Sequence, residues 1–170
     1  MTAQTRQLTH HRAVVIGIGN DFRHDDAAGL LVVRQLNDHC NSTCVEIVES
    51  DGDVTEIFRA WDNCHLAFLV DAVCSNNDQS IIRIDATKAN LPAQLGFSSS
   101  HSFGTAEVIS LGRSLNQLPD QIIIYGIRGK NFAIGHGLSE GVAEAVQCVA
   151  EWITDELAIW ETQVETEEFD

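Results

Sequence analysis

The chain has 170 residues, 44% of them hydrophobic, and a formal net charge of -15. This length and apolar content suit one domain with a substantial core, and the negative charge argues against nucleic acid and anionic membranes as partners. No apolar run is long enough to cross a bilayer, and the polar lead-in, residues 1–12, lacks the apolar core of a signal peptide. We therefore expect a cytoplasmic protein, and a monomer because nothing in the sequence demands an oligomer.

Short apolar runs alternate with helical patterns along the chain. Runs that are rich in β-branched residues predict buried strands, and apolar residues at helical spacing predict helices. The predicted order is β-α-β-α-β-β-α-β-α, with strands at 13–19, 44–50, 66–70, 80–85 and 121–127 and helices at about 27–39, 54–60, 105–115 and 139–160. This order predicts a three-layer α/β/α domain over residues 13–160, with helices on both faces of a mostly parallel, mixed and twisted sheet of about five strands. Residues 161–170 are expected to form a frayed acidic tail.

Two connections between predicted elements carry information. Residues 73–79 are too few for a parallel crossover, so we expect the third and fourth strands to pair as an antiparallel hairpin. Residues 86–104 form the longest irregular stretch and include Ser98-Ser99-Ser100-His101-Ser102. Long irregular loops in compact domains are usually functional or disordered.

Two carboxylates and one imidazole are candidates for chemistry. Asp25-Asp26 follow the first strand where the loop becomes helix, and a helix N-cap explains one of the two. Asp71 directly follows the apolar run 66–70, where a carboxylate is costly unless it is paired, solvated in a cleft or bound to a metal. His101 lies in the long loop. Because loops at the carboxyl ends of parallel strands converge, Asp26, Asp71 and His101 predict an open site whose oxygen and nitrogen ligands suit Ni, Zn or Fe(II).

The motifs of other site classes are incomplete. Gly17 and Gly19 match the first two glycines of a dinucleotide motif, but Phe22 occupies the third position. The chain has neither the Lys-Ser or Lys-Thr pair of a P-loop nor a G-x-S-x-G nucleophile elbow. The cysteines number five, which argues against a disulfide framework, and the pair Cys40 and Cys44 matches no tight zinc pattern.

Four short motifs occur in order and at spacings that together resemble a known family. They are Gly17-Ile18-Gly19-Asn20, Asp25-Asp26, Val70-Asp71-Ala72 and Ser100-His101. The chain resembles the hydrogenase maturation endopeptidases, which remove the C-terminal extension from the large subunit of nickel-iron hydrogenases. The segment from Tyr125 to Ser139 is similar to the family's last strand, loop and final helix start, so the resemblance spans about residues 14–152.

The resemblance implies a site and a substrate. It makes Asp26, Asp71 and His101 the metal-binding and catalytic residues, although family members commonly carry Asp-Glu where this chain has Asp25-Asp26. The turn Asp51-Gly52-Asp53 resembles a family turn connected with substrate recognition, which implicates Asp51. The implied substrate is a large-subunit precursor that brings its own nickel; zinc or cadmium can replace that nickel in a crystal.

The implied mechanism leaves two points open. A three-ligand site leaves a position for water or the scissile carbonyl, and either the metal or a carboxylate can activate the water.

Two other classes of function also stay open. One is a non-proteolytic nickel sensor or chaperone for the same precursor. The other is a small-molecule α/β enzyme that binds an anion at the turn between Gly17 and Gly19.

Overall fold

The structure, a computed structural model, describes residues 12–74, 78–88, 96–97 and 104–167. A short 3-10 turn, His24–Ala27, precedes the first α-helix. The strands and helices, in chain order, are Ala13–Ile18 (β1), Ala28–His39 (α1), Val45–Ser50 (β2), Val54–Trp61 (α2), Leu66–Cys74 (β3), Ile81–Asp85 (β4), Gly96–Phe97 (β5), Thr105–Leu115 (α3), Gln121–Arg128 (β6) and Val142–Glu167 (α4).

The main sheet has the strand order β2-β1-β3-β6-β4, and the short strand β5 adds to β3. The four strands β2, β1, β3 and β6 are parallel to one another. Strand β4 is antiparallel to β6, and β5 is antiparallel to β3. The predicted mixed, mostly parallel sheet is therefore confirmed. None of the helices in the described ranges is long and apolar enough to span a membrane.

The predicted hairpin between β3 and β4 is wrong, because β6 lies between these two strands. The short connection fixes the antiparallel direction of β4 but does not choose its neighbour. Strand β6 is buried along almost its whole length and takes the central position, whereas the half-exposed β4 stays at the edge. Burial on both faces thus decides which strand pairs with β3.

Helices cover both faces of the sheet. Helices α1 and α4 pack on the face that holds Phe68, Val70 and Tyr125. Helices α2 and α3 pack on the face that holds Leu69 and Ile124. Because side chains alternate along a strand, Asp71 belongs to the face of α2 and α3.

Two helix predictions have different outcomes. The predicted cap of α2 is confirmed, since the Asp53 carboxylate accepts hydrogen bonds from the backbone N–H groups of Thr55 and Glu56 at 2.8 and 3.1 Å. Helix α4 continues to Glu167, through the segment that we expected to fray after Trp160. Most residues of this segment have a favourable helix propensity, and extending an existing helix costs less than nucleating a new one. These two effects explain the longer helix.

Candidate functional site

The carboxyl edge of the sheet has a crevice between β1 and β3. The chain leaves β1 through α1 towards β2, whereas it leaves β3 towards β4 at the opposite edge of the sheet. Neighbouring parallel strands whose connections diverge in this way form the usual ligand crevice of an open α/β sheet. Asp26 lies in the 3-10 turn after β1, this turn contacts β3, and Asp71 lies in β3. The fold therefore brings these two carboxyl groups to one place.

Gly17, near the end of β1, and Gly19, just after it, allow close packing in this structure. A Cβ atom at Gly19 would lie 2.1 Å from the carbonyl oxygen of Asp26, and one at Gly17 would lie 2.2 Å from that of Gly29. Only glycine allows these backbones to approach so closely. This close packing accounts for both glycines without a bound anion.

Asp71 is a buried carboxyl with an incomplete set of hydrogen bonds. Its side chain is 2% exposed, and its Oδ2 accepts a hydrogen bond of 2.9 Å from the Thr105 hydroxyl. Its Oδ1 is buried and has no hydrogen-bond partner among the described residues. Burial raises the pKa of Asp71 to about 8, and the negative charge of Asp26 adds to this rise. Such an oxygen is costly unless it holds a proton or contacts a cation.

The position of Asp71 differs from the expected one. We predicted that the strand ends at Val70 and that Asp71 follows it. Strand β3 instead continues to Cys74, so Asp71 lies inside the strand and pairs with Gly126 of β6. The continuous backbone pairing holds Asp71 firmly, which suits a side chain with a defined function.

Asp26 is the second buried carboxyl of the crevice. It is 0% exposed, and its negative charge contributes to the raised pKa values of both Asp71 and Cys74, for which burial is the larger cause. Two carboxyl groups that are buried close together repel each other unless a proton or a cation lies between them. The pair therefore has the donor chemistry of a divalent-cation site.

Asp25 is an anchor and does not cap a helix. Its Oδ2 accepts hydrogen bonds from the backbone N–H groups of Lys130 and Asn131 at 2.7 and 2.8 Å, and its Oδ1 accepts one from Ser139 at 2.6 Å. Helix α1 has no side-chain cap, so the predicted N-cap is wrong. Burial acts to raise the pKa of Asp25, but these N–H groups outweigh it and lower the pKa. Asp25 thus ties the β6–α4 loop, residues 129–141, to the turn that carries Asp26.

Thr105 is a site residue that the sequence analysis missed. It is the first residue of α3, is 3% exposed, and donates the hydroxyl hydrogen bond to Asp71. Its place at the start of a helix after the long loop was predicted, but no sequence pattern pointed its side chain at a carboxyl 34 residues earlier.

The remaining predicted residues have separate outcomes. His101 lies outside the described residues, so its role as third ligand stays a prediction. Within the described ranges, no group of three His, Cys, Asp or Glu side chains could hold a metal. Asp51 is exposed just after β2, at the same edge of the sheet, and accepts a hydrogen bond from the backbone N–H of Asp53 at 3.1 Å. Its role in substrate recognition stays a prediction. All five cysteines are free.

Solved structures share this architecture, whereas no family model and no curated sequence matches the chain. The hydrogenase maturating endopeptidase HybD from E. coli matches with a TM-score of 0.70 and 22% identity, over 86% of this chain and 92% of that one. The [NiFe] hydrogenase maturation protease HycI from Thermococcus kodakarensis KOD1 matches with a TM-score of 0.65 and 26% identity, over 85% of this chain and 90% of that one. The [NiFe] hydrogenase maturation protease HybD from Thermococcus kodakarensis matches with a TM-score of 0.67 and 22% identity, over 86% of this chain and 99% of that one. The chain has the fold of the hydrogenase maturation proteases, which confirms the resemblance carried by its motifs.

Proposed function

We propose that the chain is an endopeptidase that removes the C-terminal extension of a [NiFe] hydrogenase large-subunit precursor after nickel insertion. One observation carries the proposal: Asp26 and Asp71 are buried together in the crevice, and Asp71 has a carboxyl oxygen without a partner among the described residues. The fold shared with maturation proteases supports the class of substrate.

Nickel is part of the substrate in this proposal. An unpartnered carboxyl oxygen beside a second buried carboxyl suits a divalent cation, because the cation offsets the cost of burying negative charge. Asp26, Asp71 and His101 would supply oxygen and nitrogen ligands, and the precursor would supply the others. A precursor without nickel offers no cation to the two carboxyls, so the site favours the nickel-loaded form.

The hydrolytic step needs a group that takes a proton from water. The water oxygen forms a bond to the scissile carbonyl carbon, the carbon–nitrogen bond breaks, and the new amine leaves with a proton. Without a cation, burial raises the pKa of Asp71 to about 8, so the group is mostly protonated at neutral pH. A cation beside Asp71 would favour its ionised form, which is the form that can take a proton from water. We therefore assign both metal binding and proton transfer to Asp71, and a metal-binding and electrostatic role to Asp26. No Ser or Cys nucleophile is required.

A cleavage assay with matched variants tests this assignment. Nickel-loaded precursor is incubated with the wild-type chain, with Asp71→Asn, with His101→Ala and with Asp155→Asn, and the processed subunit is followed by gel mobility. Asp155 is exposed on α4, so its variant controls for the loss of one carboxylate. We expect cleavage by the wild-type chain and by Asp155→Asn only. Full cleavage by Asp71→Asn would contradict the assignment of Asp71, and full cleavage by His101→Ala that of His101.

A further inference from the structure

Two loops beside the crevice are joined into one surface. The backbone N–H of Gly135 donates to the carbonyl of Phe22 at 2.9 Å, and the N–H of His24 donates to the carbonyl of Gly135 at 3.0 Å. The rings of Phe22 and His136 lie 5.3 Å apart. We call the surface formed by Phe22, Arg23, Lys130, Ile134 and His136 the docking face. The three hydrogen bonds to the Asp25 carboxylate also join these two loops, so the docking face has a defined structure.

The docking face exposes large apolar side chains. Ile134 is 88% exposed and Phe22 is 65% exposed, the two highest values among the large hydrophobic residues of the described chain. Apolar side chains on one well-anchored surface are typical of an interaction site, since water contact with them is unfavourable. The face begins four positions before Asp26 and adjoins the turn that carries this residue.

The charge of the docking face is opposite to that of the chain. The docking face contains the cations Arg23 and Lys130 but no Asp or Glu, in a chain of net charge -15. The neighbouring Asp21 is paired with Arg34. Within the described residues neither of these two cations of the docking face forms an ion pair. Arg23 and Lys130 instead donate to the backbone carbonyls of Phe132 and Glu140, which are neutral acceptors. The partner that fits such a surface has apolar side chains next to carboxylates.

We propose that the docking face binds a segment of the precursor that carries apolar side chains beside carboxylates, and that this contact places the adjoining scissile bond over Asp26 and Asp71. The inference rests on the proposed function and adds to it the surface by which the precursor is held. A membrane does not fit, because the chain as a whole would be repelled by anionic lipids. The occupant is therefore the protein substrate.

Binding and kinetics of surface variants test the inference. The probe is a nickel-loaded [NiFe] hydrogenase large-subunit precursor, and Kd, KM and kcat are measured for the wild-type chain, Ile134→Asp, Phe22→Ala and Lys130→Glu. Ile159→Asp is the control, because Ile159 is 60% exposed on the second half of α4. We expect the three docking-face variants to raise Kd and KM by about tenfold each with kcat nearly unchanged, as for the loss of one buried contact. The control should match the wild-type chain, and thermal melting should show that all variants fold.

Each other result overturns the inference in a distinguishable way. If the wild-type chain cleaves the precursor and the three variants keep its Kd and KM, the docking face is wrong while the proposed function stands. If the wild-type chain neither binds nor cleaves, the proposed function fails and the inference fails with it. If Ile134→Asp converts a dimer to a monomer in size-exclusion chromatography without a change in KM, the face joins two copies of the chain instead.

Discussion

The buried Asp71 predicts an unusual dependence of stability on pH. A carboxyl whose pKa rises from 3.8 to about 8 on folding keeps a proton that the unfolded chain has already released. Folding is therefore favoured at low pH, and the free energy of unfolding falls as the pH rises between these two values. The direction is opposite to that of an ordinary ion-paired carboxylate, whose contribution is lost as the pH falls.

The size of the effect follows from the same shift. Each pH unit well inside the window contributes about 1.4 kcal/mol and the slope falls near pH 8, so the wild-type chain loses about 4 kcal/mol from this group between pH 5 and pH 8. Asp71→Asn removes the titration. The Asn carbonyl can still accept the Thr105 hydroxyl, and the amide is not repelled by Asp26. We expect the stability of the variant relative to the wild-type chain to rise by about 4 kcal/mol between pH 5 and pH 8, and the variant to lose cleavage.

Urea unfolding of the wild-type chain, Asp71→Asn and Asp155→Asn at several pH values between 5 and 8 measures this difference. The exposed Asp155 is the control, and its variant should follow the wild-type curve. If the difference between Asp71→Asn and the wild-type chain stays the same at every pH, Asp71 does not hold an extra proton in the folded state, and the argument from its burial is refuted.

Three further substitutions test how the site is held. Asp25→Ala leaves three partly buried backbone N–H groups without their acceptor, so urea unfolding should show a loss of about 2–4 kcal/mol and the cleavage rate should fall; wild-type stability would contradict the anchoring role. Thr105→Val removes the donor to Asp71 and should move the pH–rate profile to higher pH, whereas Thr105→Ser should restore it; identical profiles would exclude this contact from the mechanism. Gly19→Ala places a Cβ 2.1 Å from the Asp26 carbonyl oxygen, so we expect lower stability and slower cleavage, and an unchanged enzyme would contradict the packing argument.

Much of the fold follows from hydrophobic patterns in the sequence. Period-2 and continuous apolar runs locate the main strands, and helical periodicity locates the helices. The limits of α3, Thr105–Leu115, agree with the prediction, and those of α2 differ by one residue. Pattern does not fix which strands become neighbours: β6 separates β3 from β4 because central positions go to the strands that are buried on both faces.

The burial of the Asp71 carboxyl in the candidate site was predictable from the sequence, because this residue interrupts an apolar pattern. Asp71 follows a run of apolar residues, where burying a carboxylate costs free energy. A functional role for the carboxylate is a reason for keeping it there. The role of Asp25 was not predictable, because its partners lie 105, 106 and 114 residues later in the chain and are backbone groups without a residue signature. Thr105 escaped notice for the same reason: its contact with Asp71 exists only after the sheet and α3 have packed together.

The most direct test of the central proposal is the intact mass of a [NiFe] hydrogenase large-subunit precursor after incubation with this chain, with and without inserted nickel. We predict that a C-terminal peptide is lost only from the nickel-loaded precursor. Stable binding of a matched nickel-loaded precursor without any change in its mass would contradict the proposed endopeptidase and would favour a non-proteolytic nickel sensor or chaperone on the same fold.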